Sequence, residues 1–163
     1  MEETNKVRIA YARKKARLLL EEANIKQPPI ILNTIIQHLK KTQPLSVQKW
    51  SFGDQTDGIQ VTVGEKAVIG YNDDKHHNRK RFTVAHEIGY LILGHTQQNY
   101  DLENKSIDDT EANQFAAELL MPLEMLKNDI KIIKNVKDLA KKYVVSEEAM
   151  WIRLIECKLI LKI

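Results

Sequence analysis

A chain of 163 residues, 43% hydrophobic and 29% charged, has the size and composition of one compact domain with a real core. Its apolar runs are far shorter than the roughly 20 residues a membrane span needs, the opening MEETNKVRIAYARKK has no apolar signal-peptide core, and the single cysteine, Cys157, can make no internal disulfide, so no membrane and a cytoplasmic location are expected. The net charge of +3 is too small to argue for nucleic acid, and its distribution, with 7 basic and 4 acidic groups in residues 1–27, 9 and 13 in 28–126, and 9 and 5 in 127–163, reads as solvated helix faces around an acidic middle.

Residues 5–24 carry Val7, Ala10, Tyr11, Leu18 and Leu19 at helical spacing between Arg and Lys, which predicts an amphipathic helix ending before Pro28-Pro29. A shorter helix over 30–41 stops before Pro44. The period then changes. Strands are expected at 47–52, 59–63 and 66–71, separated by turn chemistry at 53–58 and at Gly64-Glu65, which together read as a small antiparallel meander. A polar loop over 72–78 leads to a central helix at 81–93 with Gly94 as its stop. Residues 96–106 read as irregular. A helix at 108–120, capped by Asp108 or Asp109, a short one from Pro122 to about 126, and two more at 136–143 and 147–159 complete an α+β chain, mostly helical with one small sheet.

The chemistry concentrates in His86-Glu87-Ile88-Gly89-Tyr90. In the pattern His-Glu-x-x-His, the two histidines sit about 40° apart on the helix and one turn along it, so they bind one ion from one face. The Glu beside the first His then lies near a metal-bound water and takes its proton. Here His86 and Glu87 are present and position 90 is Tyr. A third ligand has to come from elsewhere, and Glu111, 21 residues after Tyr90, stands early in the next helix, an arrangement found in glutamate-type zinc peptidases.

RFTVAHEIGYLILGH followed by EANQFAAELLMP resembles the ImmA/IrrE family of metallopeptidases, over roughly residues 6–160. The resemblance implies one domain over 1–163, with a zinc-peptidase core at 5–126 and helix-turn-helix-like helices at 127–163. It implies zinc as cofactor, links to mobile elements and stress regulation, and a helix-turn-helix repressor as the protein that is cleaved. Carried over by position, His86 is the first zinc ligand, Glu87 the general base and Glu111 the carboxylate ligand. Tyr90 stands where the second His ligand belongs.

Three readings of Tyr90 remain open. Its phenolate ligates zinc, against a reference pKa of about 10. Another histidine replaces it, with His95 nearest, although His95 also reads as a helix-end cap or the filling of a polar pocket. Or the site is degenerate, because His86 and Glu111 alone fall short of the three or four ligands zinc sites use. His76 and His77 read as surface residues and His38 as structural. Gly89 in mid-helix implies another backbone packed closely against it. Asn113 reads equally as a residue that orients a ligand or as an ordinary polar helix position. Ala112, Phe115, Ala116, Leu119 and Leu120 read as core.

The run from Val136 to Leu154 looks like a helix-turn-helix, with Ala140 as the small contact, Ser146 as N-cap of the second helix, and no glycine in the turn. Glu147 and Glu148 open that second helix, where a recognition helix meets phosphate. Direct DNA binding is therefore not expected, and a structural or protein-docking role is.

Overall fold

The computed structural model describes residues 6–51, 53, 56–95 and 102–160. Among them are seven helices, α1 (Ile9–Glu22), α2 (Leu32–Lys40), α3 (His77–Ile92), α4 (Leu102–Leu120), α5 (Leu123–Asp129), α6 (Val136–Tyr143) and α7 (Glu147–Glu156), and three strands, β1 (Leu45–Trp50), β2 (Gly58–Val63) and β3 (Lys66–Asn72). The chain is α+β and mainly helical, as expected. Phe52, Asp54, Gln55 and residues 96–101, on which parts of the expected strand, turn and irregular segment fall, lie outside the described residues.

The sheet is mixed, not an antiparallel meander. Its order is β1-β3-β2, with β1 parallel to β3 and β2 antiparallel to β3. The β2–β3 hairpin forms through the Gly64-Glu65 turn, but β3 then inserts between β2 and β1. Gly53 and Thr56, between β1 and β2, are held at the end of β3 by Asn72. That side chain is fully buried, and its Nδ2 donates to the carbonyls of Gly53 (2.6 Å) and Thr56 (2.9 Å). Strand periodicity sets which residues face the core but not which strand is the neighbour.

Several boundaries also differ, two of them beside the candidate chemistry. The loop expected at 72–78 is shorter, because α3 already begins at His77, with His76 Nδ1 accepting from the Asn78 amide at 3.2 Å. α4 begins at Leu102, so residues 102–106 are helical and Asp108 and Asp109 lie inside the helix, not at its cap. No Gly or Pro interrupts 102–120, and polar residues alone do not stop a helix.

The core sits where α1 and α3 meet α4. On α1 the buried residues Ala12, Ala16, Leu19 and Leu20 recur at helical spacing, and the two alanines let α4 come close. Beside them runs a polar ladder. Arg8 donates to Glu111 through Nε and Nη2, both at 2.9 Å. Arg13 donates to Gln114 at 2.8 and 3.1 Å, and Arg17 reaches Glu118 at 3.4 Å. Positions 111, 114 and 118 share one face of α4.

Glu118 also receives Arg153 of α7, whose Nε donates to the Met121 carbonyl at 3.0 Å. α5 and α6 join through Asp129, which accepts from Tyr143 at 2.6 Å and Lys142 at 2.8 Å. Ser146 caps α7, accepting from the Ala149 amide at 3.0 Å. In place of the missing glycine, Val144 takes the left-handed conformation, φ +54°. Its carbonyl accepts from Arg81 Nε at 3.1 Å, which docks the α6–α7 pair on α3. Among the described residues no helix is long and apolar enough to cross a membrane.

Candidate metal centre

α3 is buried along Thr83, Val84, Ala85 and Glu87 to Tyr90 because the sheet covers one side and α4 the other. Gly89 supplies the close approach. A Cβ there would lie 3.0 Å from Phe115 Cδ1 and 3.2 Å from the Ala112 carbonyl oxygen, so the backbone of α4 passes directly over it. Gly94, at φ +71°, ends the helix in a Schellman motif, with His95 N–H donating to the Tyr90 carbonyl (2.9 Å) and Gly94 N–H to that of Leu91 (3.3 Å). This turn sends His95 back toward α4.

Between α3, α4 and the segment at Thr56 to Gly58 lies a cavity of about 500 Å³ whose walls include His86, Glu87, Tyr90, Asp108, Asp109 and Asn113. His86 Nδ1 lies 2.8 Å from Asn113 Oδ1. That oxygen only accepts, so Nδ1 carries the proton and Nε2 keeps its lone pair. Asn113 thus orients His86, which decides between its two readings. Burial pulls the His86 pKa below its usual value, with Asn113 and then Asp109 opposing, so the imidazole is neutral near pH 7. Nε2 stands 3.6 Å from Asp109 Oδ1.

Tyr90 points at the same oxygen, its hydroxyl donating to Asp109 Oδ1, and its ring centroid lies 5.1 Å from that of His86. Burial first, and then the Asp109 carboxylate, push the Tyr90 pKa far above its ordinary value. The phenol is therefore a neutral donor. Glu87 is 4% exposed and lines the same cavity.

Glu111 is elsewhere. It faces α1, where Arg8 grips it by side chain and by its backbone amide at 2.9 Å. His95 fills the polar space behind, with Nδ1 3.1 Å from Asp108 Oδ1 and Nε2 3.0 Å from Glu111 Oε2, the latter off line for a hydrogen bond. The carboxylate that meets His86 is Asp109, half a turn before Glu111 on the opposite face of α4. The signal for Asp109 was its spacing of four from Asn113. His76 caps α3, His77 is its first residue, and His38 pairs with Glu22 at 3.5 Å.

Burial raises the Glu111 carboxyl, but the hydrogen bonds from Arg8 outweigh it and hold the pKa below its ordinary value. A depressed carboxyl stabilises the fold above the ordinary carboxylate range and loses that contribution as pH falls through the folded-state value. Arg8→Met is expected to cost about 1–2 kcal/mol near neutral pH, discounted because Arg8 is half exposed. The gap between the two proteins should close in acid. Urea denaturation near neutrality and at about pH 3 checks it; a pH-independent gap would contradict it.

The family model described as the IrrE N-terminal-like domain matches residues 41–154. The chain belongs to that family. No curated protein matches the sequence. Among solved structures, a Mycobacterium tuberculosis transcriptional regulator superposes with a TM-score of 0.67 at 14% identity, covering 89% of this chain and 46% of that one. This likeness concerns the fold, and the IrrE-like chain spans less than half the length of that regulator.

The family is a peptidase family, generally zinc-dependent. A catalytic zinc is held by three protein ligands with a fourth position open. At the equivalent place this chain offers His86 Nε2 and Asp109, while Tyr90 contributes a phenol that burial and Asp109 keep protonated. Among the described residues no three His, Cys, Asp or Glu side chains form a group able to hold a metal. The side chains present do not fit a catalytic zinc.

Proposed function

We propose that this IrrE-type chain regulates a helix-turn-helix repressor by binding it at a peptidase-derived cleft without cutting it. The observation that carries this reading is the Tyr90 hydroxyl donating to Asp109. It engages the carboxylate that meets His86 with a neutral phenol at the position where the family resemblance calls for a second imidazole. Membership of the IrrE family supports a regulatory role, and the setting that goes with the resemblance, mobile elements and stress responses, belongs to the same reading. Two exposed carboxylates, Glu147 and Glu148, open α7 and repel DNA phosphate, so α6 and α7 serve as structure and protein surface.

The test is zinc stoichiometry together with repressor integrity. Protein equilibrated with zinc and then passed through a weak chelator is expected to keep well below one zinc per chain. A cognate repressor should co-elute with it intact. Retention of one zinc per chain with appearance of repressor fragments would instead support the proteolytic reading of the family, with Tyr90 accommodated as a ligand.

A further inference from the structure

We infer that the cleft continues past Phe82 into a groove that docks a cationic, amphipathic helical segment of the partner; this deepens, and rests on, the reading of the chain as a protein-binding regulator. A second cavity, of about 570 Å³, lies between the first turn of α3 and the first turn of α7. Asp57, Phe82 and Thr83 line both cavities, so the two meet. The second has an apolar wall of Phe82, Val145, Ala149 and Ile152. Ile152 is 50% exposed, a large apolar side chain left in water beside a concave apolar surface.

Charge selects the occupant. The joined walls carry five carboxylates, Asp57, Glu87, Asp108, Asp109 and Glu148, against two cations, Arg79 and Lys105. Arg79 is engaged with Asp57 at 2.8 and 3.0 Å. The chain as a whole carries +3, so attraction of a cation comes from this groove and not from the global field. An apolar wall flanked by acids matches a helix with apolar side chains at i, i+3 and i+4 and Lys or Arg on either side. Proteins that bind DNA through a helix-turn-helix present basic helical surface to phosphate. Docking here would cover the surface such a partner uses on DNA.

The probe is a synthetic amphipathic peptide of about 16 residues, long enough to form a marginal helix, with a Leu stripe flanked by Lys. Its comparators are a Glu-flanked counterpart and a scrambled peptide of the Lys composition. Fluorescence anisotropy at low salt is expected to show micromolar binding of the Lys peptide, at least about tenfold weaker binding of the scrambled one, and none of the Glu peptide. Glu148→Lys and Ile152→Asp should each weaken binding by about tenfold or more. Ile132→Asp, at an exposed apolar residue outside the groove (82% exposed), should leave it unchanged. Equal binding of ordered and scrambled peptides, or indifference to both groove variants, overturns the inference. If a repressor still co-elutes with both variants, the groove is wrong and the regulator reading stands. If the peptide binds as expected but no repressor associates, the groove stands and that reading falls.

Discussion

Tyr90→His is expected to turn a chain that surrenders zinc to a weak chelator into one that retains one zinc per molecule, with an affinity gain of at least about 100-fold. Position 90 is one turn beyond His86 on the same face of α3, so an imidazole there supplies the missing third donor. The substitution also removes the O–H that occupies Asp109 and frees that carboxylate. His86 is already set, since Asn113 fixes its Nδ1 proton and leaves Nε2 facing the cleft. Competition with a chromophoric chelator measures the gain. Tyr90→Phe separates the two effects, because it frees Asp109 without adding a donor and should gain little. If Tyr90→His binds no better than the parent chain, the centre has been lost by more than one residue.

Arg153→Met is expected to lower stability by about 3–5 kcal/mol, the usual result of stranding one member of a buried ion pair. Arg153 and Glu118 are each 1% exposed, and burial pulls the guanidinium down to about 10. Without Arg153, Glu118 keeps as its one cation among the described residues Arg17, at 3.4 Å and itself 43% exposed, with a long hydrogen bond from the Leu123 amide at 3.5 Å, and the Met121 carbonyl loses its donor. Urea denaturation should show the midpoint fall by roughly 1.5–2.5 M for a slope near 2 kcal/mol/M. Replacing Glu118 by Leu in the same chain should recover much of the loss, because the uncompensated charge is gone. A loss below about 1 kcal/mol would mean that Arg17 alone neutralises Glu118.

Arg153 illustrates what a linear reading misses. In the sequence it is one charged residue in an amphipathic helix, and nothing nearby announces a partner 35 residues away. Asp109 is the same lesson at the cleft. Read along the chain, Asp108 and Asp109 look like a helix start and Glu111 like the ligand. In space α4 starts six residues before Asp108, and its rotation about its own axis sends Glu111 to Arg8 and Asp109 to His86. The rotation is set by contacts with α1, where Ala12 and Ala16 allow close packing and the three arginines hold positions 111, 114 and 118.

Other features needed no tertiary information. Helical spacing placed His86, Glu87 and Tyr90 on one buried helix, Gly94 ended it, Gly89 marked a backbone crossing, and Ser146 capped α7, because each depends on local geometry within a few residues. The departure at position 90 was equally plain, and with it the doubt about zinc. What only the tertiary structure decided was the order of the strands, the face that α4 turns to each neighbour, and the partner of the Tyr90 hydroxyl. Those depend on contacts between segments far apart in the chain, which periodicity does not encode. The one-turn spacing of His86 and Tyr90 was legible in the sequence; that the phenol spends itself on Asp109 follows from how α3 and α4 are packed.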